Sequence, residues 1–181
     1  MEDGDVVARQ LGRRPRALRR VVRRCPFGLP AVTEQAPYDA DGEPFPTTYY
    51  LTCPYLVAAV ARIEAGGGVE RWSETALRDP ELAESLAHAT AEQRRLRRAL
   101  AGERVGRDGG SSLELGIGGA RRPERLKCLH AHVAFALGRP GYALGERILA
   151  ELEPLWPPRC CTEPLLGEDD SASERGYDRP S

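Results

Sequence analysis

Apolar residues recur at helical spacing in four stretches of the chain. After Pro54, the positions Leu56, Val57, Val60, Ala61 and Ile63 form one apolar face that stops at Gly66-Gly67-Gly68. Thr52 or Cys53 can cap this helix and Pro54 fits its first turn. A second helix opens at Asp79-Pro80 and runs through Leu82, Leu86, Ala89 and Leu96 to Leu100, ahead of Gly102. A third is predicted over 123–137, with Leu126, Leu129, Val133, Ala136 and Leu137 on one stripe and Gly138 at its end. The fourth covers 142–153, where Leu144, Ile148, Leu149 and Leu152 share a side before Pro154. Upstream, the β-branched and aromatic content of 31–35 and 45–52, with a turn at Asp39-Ala40-Asp41-Gly42 between them, predicts a small β-hairpin. The fold class expected is α+β and mostly helical: about four helices, a small N-terminal hairpin and disordered tails.

Composition divides the chain into a core and two unlike ends. Mean hydropathy is −0.46, and 19 Gly and 15 Pro in 181 residues leave much of it as loop. Eight arginines and no acid lie between Arg9 and Arg24, whereas six acids and two arginines follow from Thr162 to Ser181. Residues 1–17 are therefore expected to be a disordered basic arm, with residues 1–8 lacking structure and short helical pieces at 6–11 and 17–22 interrupted by Pro15. Residues 18–158 form one globular domain and 159–181 a disordered acidic tail. The arm implies weak, non-specific attraction to polyanions, although a net charge of −1 excludes a globally basic nucleic-acid binder. Arg94, Arg95, Arg97 and Arg98 are expected to be a solvated helix end favoured by the helix dipole.

No stretch is apolar for long enough to span a membrane, and the start Met1-Glu2-Asp3-Gly4-Asp5 lacks the order of a secretory signal. A cytoplasmic location is expected. Five cysteines are then thiols or ligands and not a disulfide framework. Cys25 and Cys53 each precede a proline, and Cys128 lies in Lys127-Cys128-Leu129-His130-Ala131-His132. On a helix Cys128 and His132 share a face and His130 turns away. Cys53, at a helix start, lies where a thiolate is favoured. Cys25, Cys53, Cys128 and His132 thus make a candidate Cys3His set for zinc or an iron–sulfur cluster, without any CxxC pair. Inert buried thiols are the competing explanation. Cys160 and Cys161 beside the acidic tail are taken as incidental, and His88 as a solvated surface residue.

The string Gly116-Ile117-Gly118-Gly119-Ala120-Arg121-Arg122-Pro123 sets glycines and two arginines ahead of the third predicted helix. Gly118, Gly119, Arg121 and Arg122 are a candidate anion site on that ground. Neither GxGxxG nor a GK[ST] ending is present, so dinucleotide and triphosphate loops are not supported.

Four strings together resemble an uncharacterised bacterial, mainly actinobacterial, group: domain-of-unknown-function family 501. They are Arg24-Cys25-Pro26-Phe27-Gly28-Leu29-Pro30, Pro46-Thr47-Thr48-Tyr49-Tyr50-Leu51-Thr52-Cys53-Pro54, Gly116-Ile117-Gly118-Gly119 and Lys127-Cys128-Leu129-His130-Ala131-His132. The resemblance covers about residues 18–152 and implies no particular activity. Three functions stay open from the residues. One is a metalloprotein built on the Cys3His set. Another is an enzyme with Cys53 or Cys25 as nucleophile and His130 or His132 as base, acting on an anionic, phosphate-bearing small molecule. The third is a binding module that uses the basic arm.

Overall fold

A computed structural model describes residues 2–166. The architecture is a mostly helical α+β fold. Six helices of eight residues or more, α1 (Asp3–Leu11), α2 (Pro54–Ala65), α3 (Gly68–Arg78), α4 (Pro80–Ala101), α5 (Leu129–Gly138) and α6 (Ala143–Ala150), accompany a single-turn helix, α7 (Glu163–Leu166). Strands β1 (Leu18–Arg24), β2 (Pro30–Gln35) and β3 (Tyr49–Leu51) form an antiparallel sheet in the order β1-β2-β3.

The hairpin predicted from sequence is the β2–β3 pair, in register at Val32–Leu51, Thr33–Tyr50 and Glu34–Tyr49. β2 is buried at every position because strands flank it and α5 covers it. Its polar side chains are paired: Gln35 Nε2 donates to Thr33 Oγ1, and Arg20 makes a two-pronged pair with Glu34 at 3.0 and 3.1 Å. That bond explains part of the basic arm. The stretch 17–22 is not helical, and 18–24 is an edge strand bent by three register shifts. Nor are residues 3–11 disordered: they form α1, ended by Gly12 at φ 65, with Val6 and Val7 buried. Burial of those valines anchors a segment whose charge pattern alone argued for solvation.

α2 and α4 begin and end as the sequence dictates. Asp79 accepts hydrogen bonds from the Glu81 and Leu82 amides, and Pro80 occupies the first turn of α4. Helices α1 and α3 raise the count above the four expected. α3 buries Trp72 and Ala76 directly behind the triple glycine. The third predicted helix is shorter than 123–137, since residues 121–128 are turns and α5 opens at Leu129. α6 is likewise shorter than 142–153. From Ala131 to Ala136 every residue of α5 is buried, because α2, α6 and β3 pack around it. Residues 167–181 of the expected acidic tail lie outside the described residues.

One element of α4 departs from the solvated helix end expected. Arg97 is fully buried, Nη1 donates to Phe45 O at 2.9 Å, and neither Nε nor Nη2 meets an acceptor among the described residues. Desolvation lowers its pKa to about 10.

Candidate functional site

Two turns of α2 and the first turn of α5 build the site. Val57 and Glu64 are seven residues apart and so share a face of α2, and that face meets the start of α5. Cys128 is the N-cap of α5, with extended backbone at φ −159 and ψ 123. Its side chain is therefore set by the cap and not by helical spacing. It meets His130 and not His132: Cys128 Sγ lies 3.7 Å from His130 Nδ1. Glu64 Oε1 lies 3.2 Å from the same Nδ1 and accepts the Leu129 amide at 2.6 Å. The other ring nitrogen, Nε2, donates to the Val57 carbonyl at 3.0 Å. In the neutral ring this bond holds the proton on Nε2 and leaves the Nδ1 lone pair facing Cys128 and Glu64. The hydrogen bond with Cys128, the Glu64 charge and the Val57 carbonyl together outweigh burial and raise His130 to about 9.

Glu64, Cys128 and His130 are the group of three potential metal ligands that gathers among the described residues, with ligand atoms within 4.8 Å of one another. Each is half-buried. Cys128 and His130 open onto a cavity of about 350 Å3 walled by Thr47, Tyr49, Tyr50, Leu51, Val57 and Leu11. Its walls carry hydroxyl and apolar groups and no lysine or arginine.

The Cys3His set expected from sequence is not gathered. Cys25 and Cys53 are buried in the core, and Cys53 Sγ sits 3.5 Å from Cys161 Sγ. His132 is enclosed, with Nδ1 2.7 Å from the Tyr142 hydroxyl, and burial alone lowers its pKa to about 3. Cys128 precedes α5 as its N-cap, so the i, i+4 spacing to His132 does not bring the two side chains together. As a candidate nucleophile Cys53 is also set back, since burial pushes its thiol up to about 12. His130, the other catalytic candidate, does face the cavity.

The candidate anion site is likewise not assembled. Arg121 and Arg122 are exposed, no helix starts at Pro123, and the Leu129 amide at the actual helix start is taken by Glu64. The glycines answer to packing. At φ 69, Gly118 brings its backbone so close that a Cβ would stand 3.0 Å from the Ala131 Cβ. A Cβ on Gly119 would stand 2.9 Å from Pro46. In the basic arm, Arg16, Arg19, Arg20 and Arg24 face Asp39, Glu34, Glu34 and Asp3, which offsets much of its charge. His88 is exposed on α4, as expected. Glu64 was missed in the sequence: nothing local links a glutamate on α2 to a cysteine sixty-four residues away.

Among the described residues no helix is long and apolar enough to cross a membrane. No curated protein and no solved structure matches the chain. A family model does match residues 21–150, a span that holds Glu64, Cys128 and His130, and the chain belongs to that family, described as protein of unknown function (DUF501).

Proposed function

We propose that this protein binds one divalent transition-metal ion, zinc by preference, through Glu64 Oε1, Cys128 Sγ and His130 Nδ1. The observation that carries the reading is the spacing of the three atoms. Zinc–ligand bonds of about 2.3 Å to sulfur and about 2.0 to 2.1 Å to nitrogen and oxygen, at tetrahedral angles, set S and N about 3.6 Å apart and N and O about 3.3 Å apart. The corresponding distances are 3.7 and 3.2 Å. Both outer contacts also suit a ligand role: the Val57 carbonyl orients the imidazole and the Leu129 amide orients the carboxylate. One thiol, one imidazole and one carboxylate suit zinc better than an iron–sulfur cluster, which takes several thiolates.

Three protein ligands leave a fourth position, and in zinc proteins that is the mark of a reactive site and not a structural one. A bound ion would supply Lewis acidity at the cavity edge. With the ion bound His130 is a neutral ligand and no lysine or arginine lines the cavity, so its hydroxyl and apolar walls favour a small neutral molecule with hydroxyl-bonding groups.

A second reading rests on the same distances. Cys128 and His130 are placed as nucleophile and base, with the Val57 carbonyl on Nε2 orienting the ring and Glu64 sharing Nδ1 with the thiol, which would serve a thiol enzyme without metal. Anaerobic titration of the full-length protein with Co2+ separates the two. The metal reading expects a thiolate-to-cobalt charge-transfer band that saturates at one equivalent and is lost in Cys128→Ser. Absence of the band, together with selective alkylation of Cys128 at neutral pH, would reject the metal reading in favour of the thiol enzyme.

A further inference from the structure

Cys53 and Cys161 are separated by 107 intervening residues in the sequence, yet their Sγ atoms are 3.5 Å apart. Cys53 precedes α2 in the core and is 2% exposed, while Cys161 is half-buried in the segment leading to α7. That segment packs Leu155, Trp156 and Cys161 against the core, buries Thr162, and makes polar contacts to α1. Gln10 Nε2 donates to Thr162 Oγ1 at 3.0 Å and to Pro30 O at 2.9 Å, and Arg9 Nη1 donates to Leu165 O at 3.3 Å. Thus the segment after α6 ties down α1, and α1 ends at Leu11, one wall of the 350 Å3 cavity.

We propose that Cys53 and Cys161 are a redox pair that closes to a reversible disulfide, with a low-molecular-weight disulfide as oxidant. Closure would staple the segment after α6 to the start of α2. The sulfurs need to approach by about 1.5 Å to reach the bond length of about 2.05 Å. A strap of loop and one helical turn can supply that shift, whereas two sulfurs on packed helices could not.

The chemistry follows from the exposures. As a thiolate, Cys161 attacks one sulfur of the oxidant, whose S–S bond breaks and releases one thiolate, and a mixed disulfide remains on Cys161. Cys53 then loses its proton and attacks the Cys161 sulfur, which expels the second thiolate. The protons given up by the two cysteines end on the two released thiols, so one disulfide is reduced as one forms. Burial holds Cys53 as the thiol, with a pKa near 12, so it is the resolving partner and not the group that meets the oxidant. Neighbouring Cys160 is the competitor, since it too is half-buried.

The test uses the full-length, metal-free protein equilibrated across graded ratios of oxidised to reduced glutathione, acid-quenched, alkylated and mapped by mass spectrometry. Two of the five thiols should become protected together, in a peptide that joins Cys53 to Cys161. Reduction should restore them. Cys160→Ser should keep the link, and the half-buried Cys161→Ser, which leaves the core intact, should abolish it and leave every remaining thiol alkylatable. The oxidised wild type should melt above the reduced form, with no such difference in Cys161→Ser. A link between Cys160 and Cys161, or a glutathione adduct on Cys161 with Cys53 still free across the whole range, would overturn the proposal.

Discussion

Acidification should expose the cost of the enclosed His132. This imidazole is buried between α5 and α6 with the Tyr142 hydroxyl as its hydrogen-bonding partner, and no partner meets Nε2 among the described residues. Burial lowers its pKa from an ordinary value of 6.5 to about 3. Because the folded value lies below the unfolded one, the unfolded chain takes up the proton first. The contribution of this group is therefore complete above pH 6.5 and falls steadily as the pH drops toward 3. Between pH 7 and pH 5 the loss amounts to about 2 kcal/mol, since each pH unit below 6.5 costs about 1.4 kcal/mol. For a chain of this length that corresponds to a drop in Tm of about 4 to 8 °C. The perturbation is the double variant His132→Leu/Tyr142→Phe, which replaces both partners and strands neither as a buried polar orphan. Thermal or urea unfolding of wild type and variant at pH 7 and pH 5 should show the loss in the wild type and most of it gone in the variant. Parallel pH profiles for the two proteins would refute the argument.

Three further outcomes follow from particular contacts. Gly145→Ala on α6 should destabilise by about 1 to 2 kcal/mol in urea unfolding despite better helix propensity, because the new Cβ would stand 2.4 Å from Tyr142 Cδ1 and 2.7 Å from Ala136 Cβ. Asp79→Ala should cost about 1 kcal/mol in the same assay, with Asp79→Asn nearly neutral, since the side chain caps the Glu81 and Leu82 amides. His130 is raised to about 9 in the metal-free protein, so the folded state holds a proton that the unfolded chain releases between pH 6.5 and 9. Its stabilising contribution is complete below 6.5 and lost by 9. Zinc must displace that proton, and competition against a chromophoric chelator should show affinity rising from pH 7 to pH 9, whereas an affinity that is flat or falls over that range would count against His130 as a ligand.

The elements readable in the sequence were those with a chemical start and stop. Pro54 with the triple glycine fixed α2, and Asp79-Pro80 with Gly102 fixed α4, because caps and breakers act locally. α3 was missed because its apolar positions are few and its start coincides with the glycines that end α2. β1 was missed because register shifts disrupt the alternation that marks a strand. In α5, the stripe Leu129, Val133, Ala136 fits a start at 129 as well as one at 123, and those six residues decided the site. With Cys128 inside a helix its partner is His132, but with Cys128 as N-cap its partner is His130. Cys128 and His130 were both singled out by residue type, yet their pairing depends on backbone geometry, and Glu64 on the packing of α2 beside α5. Arg97 shows the same limit, since a basic cluster does not say which of its members turns inward.

The proposed site is mononuclear, with a single sulfur ligand. X-ray absorption at the zinc edge, on full-length protein loaded anaerobically with one equivalent of zinc, tests it most directly. The expected spectrum shows one sulfur at about 2.3 Å and the remaining ligands as nitrogen or oxygen at about 2.0 to 2.2 Å, with the sulfur shell lost in Cys128→Ser. Two or more sulfurs per zinc, or a shell of oxygen and nitrogen alone, would contradict it.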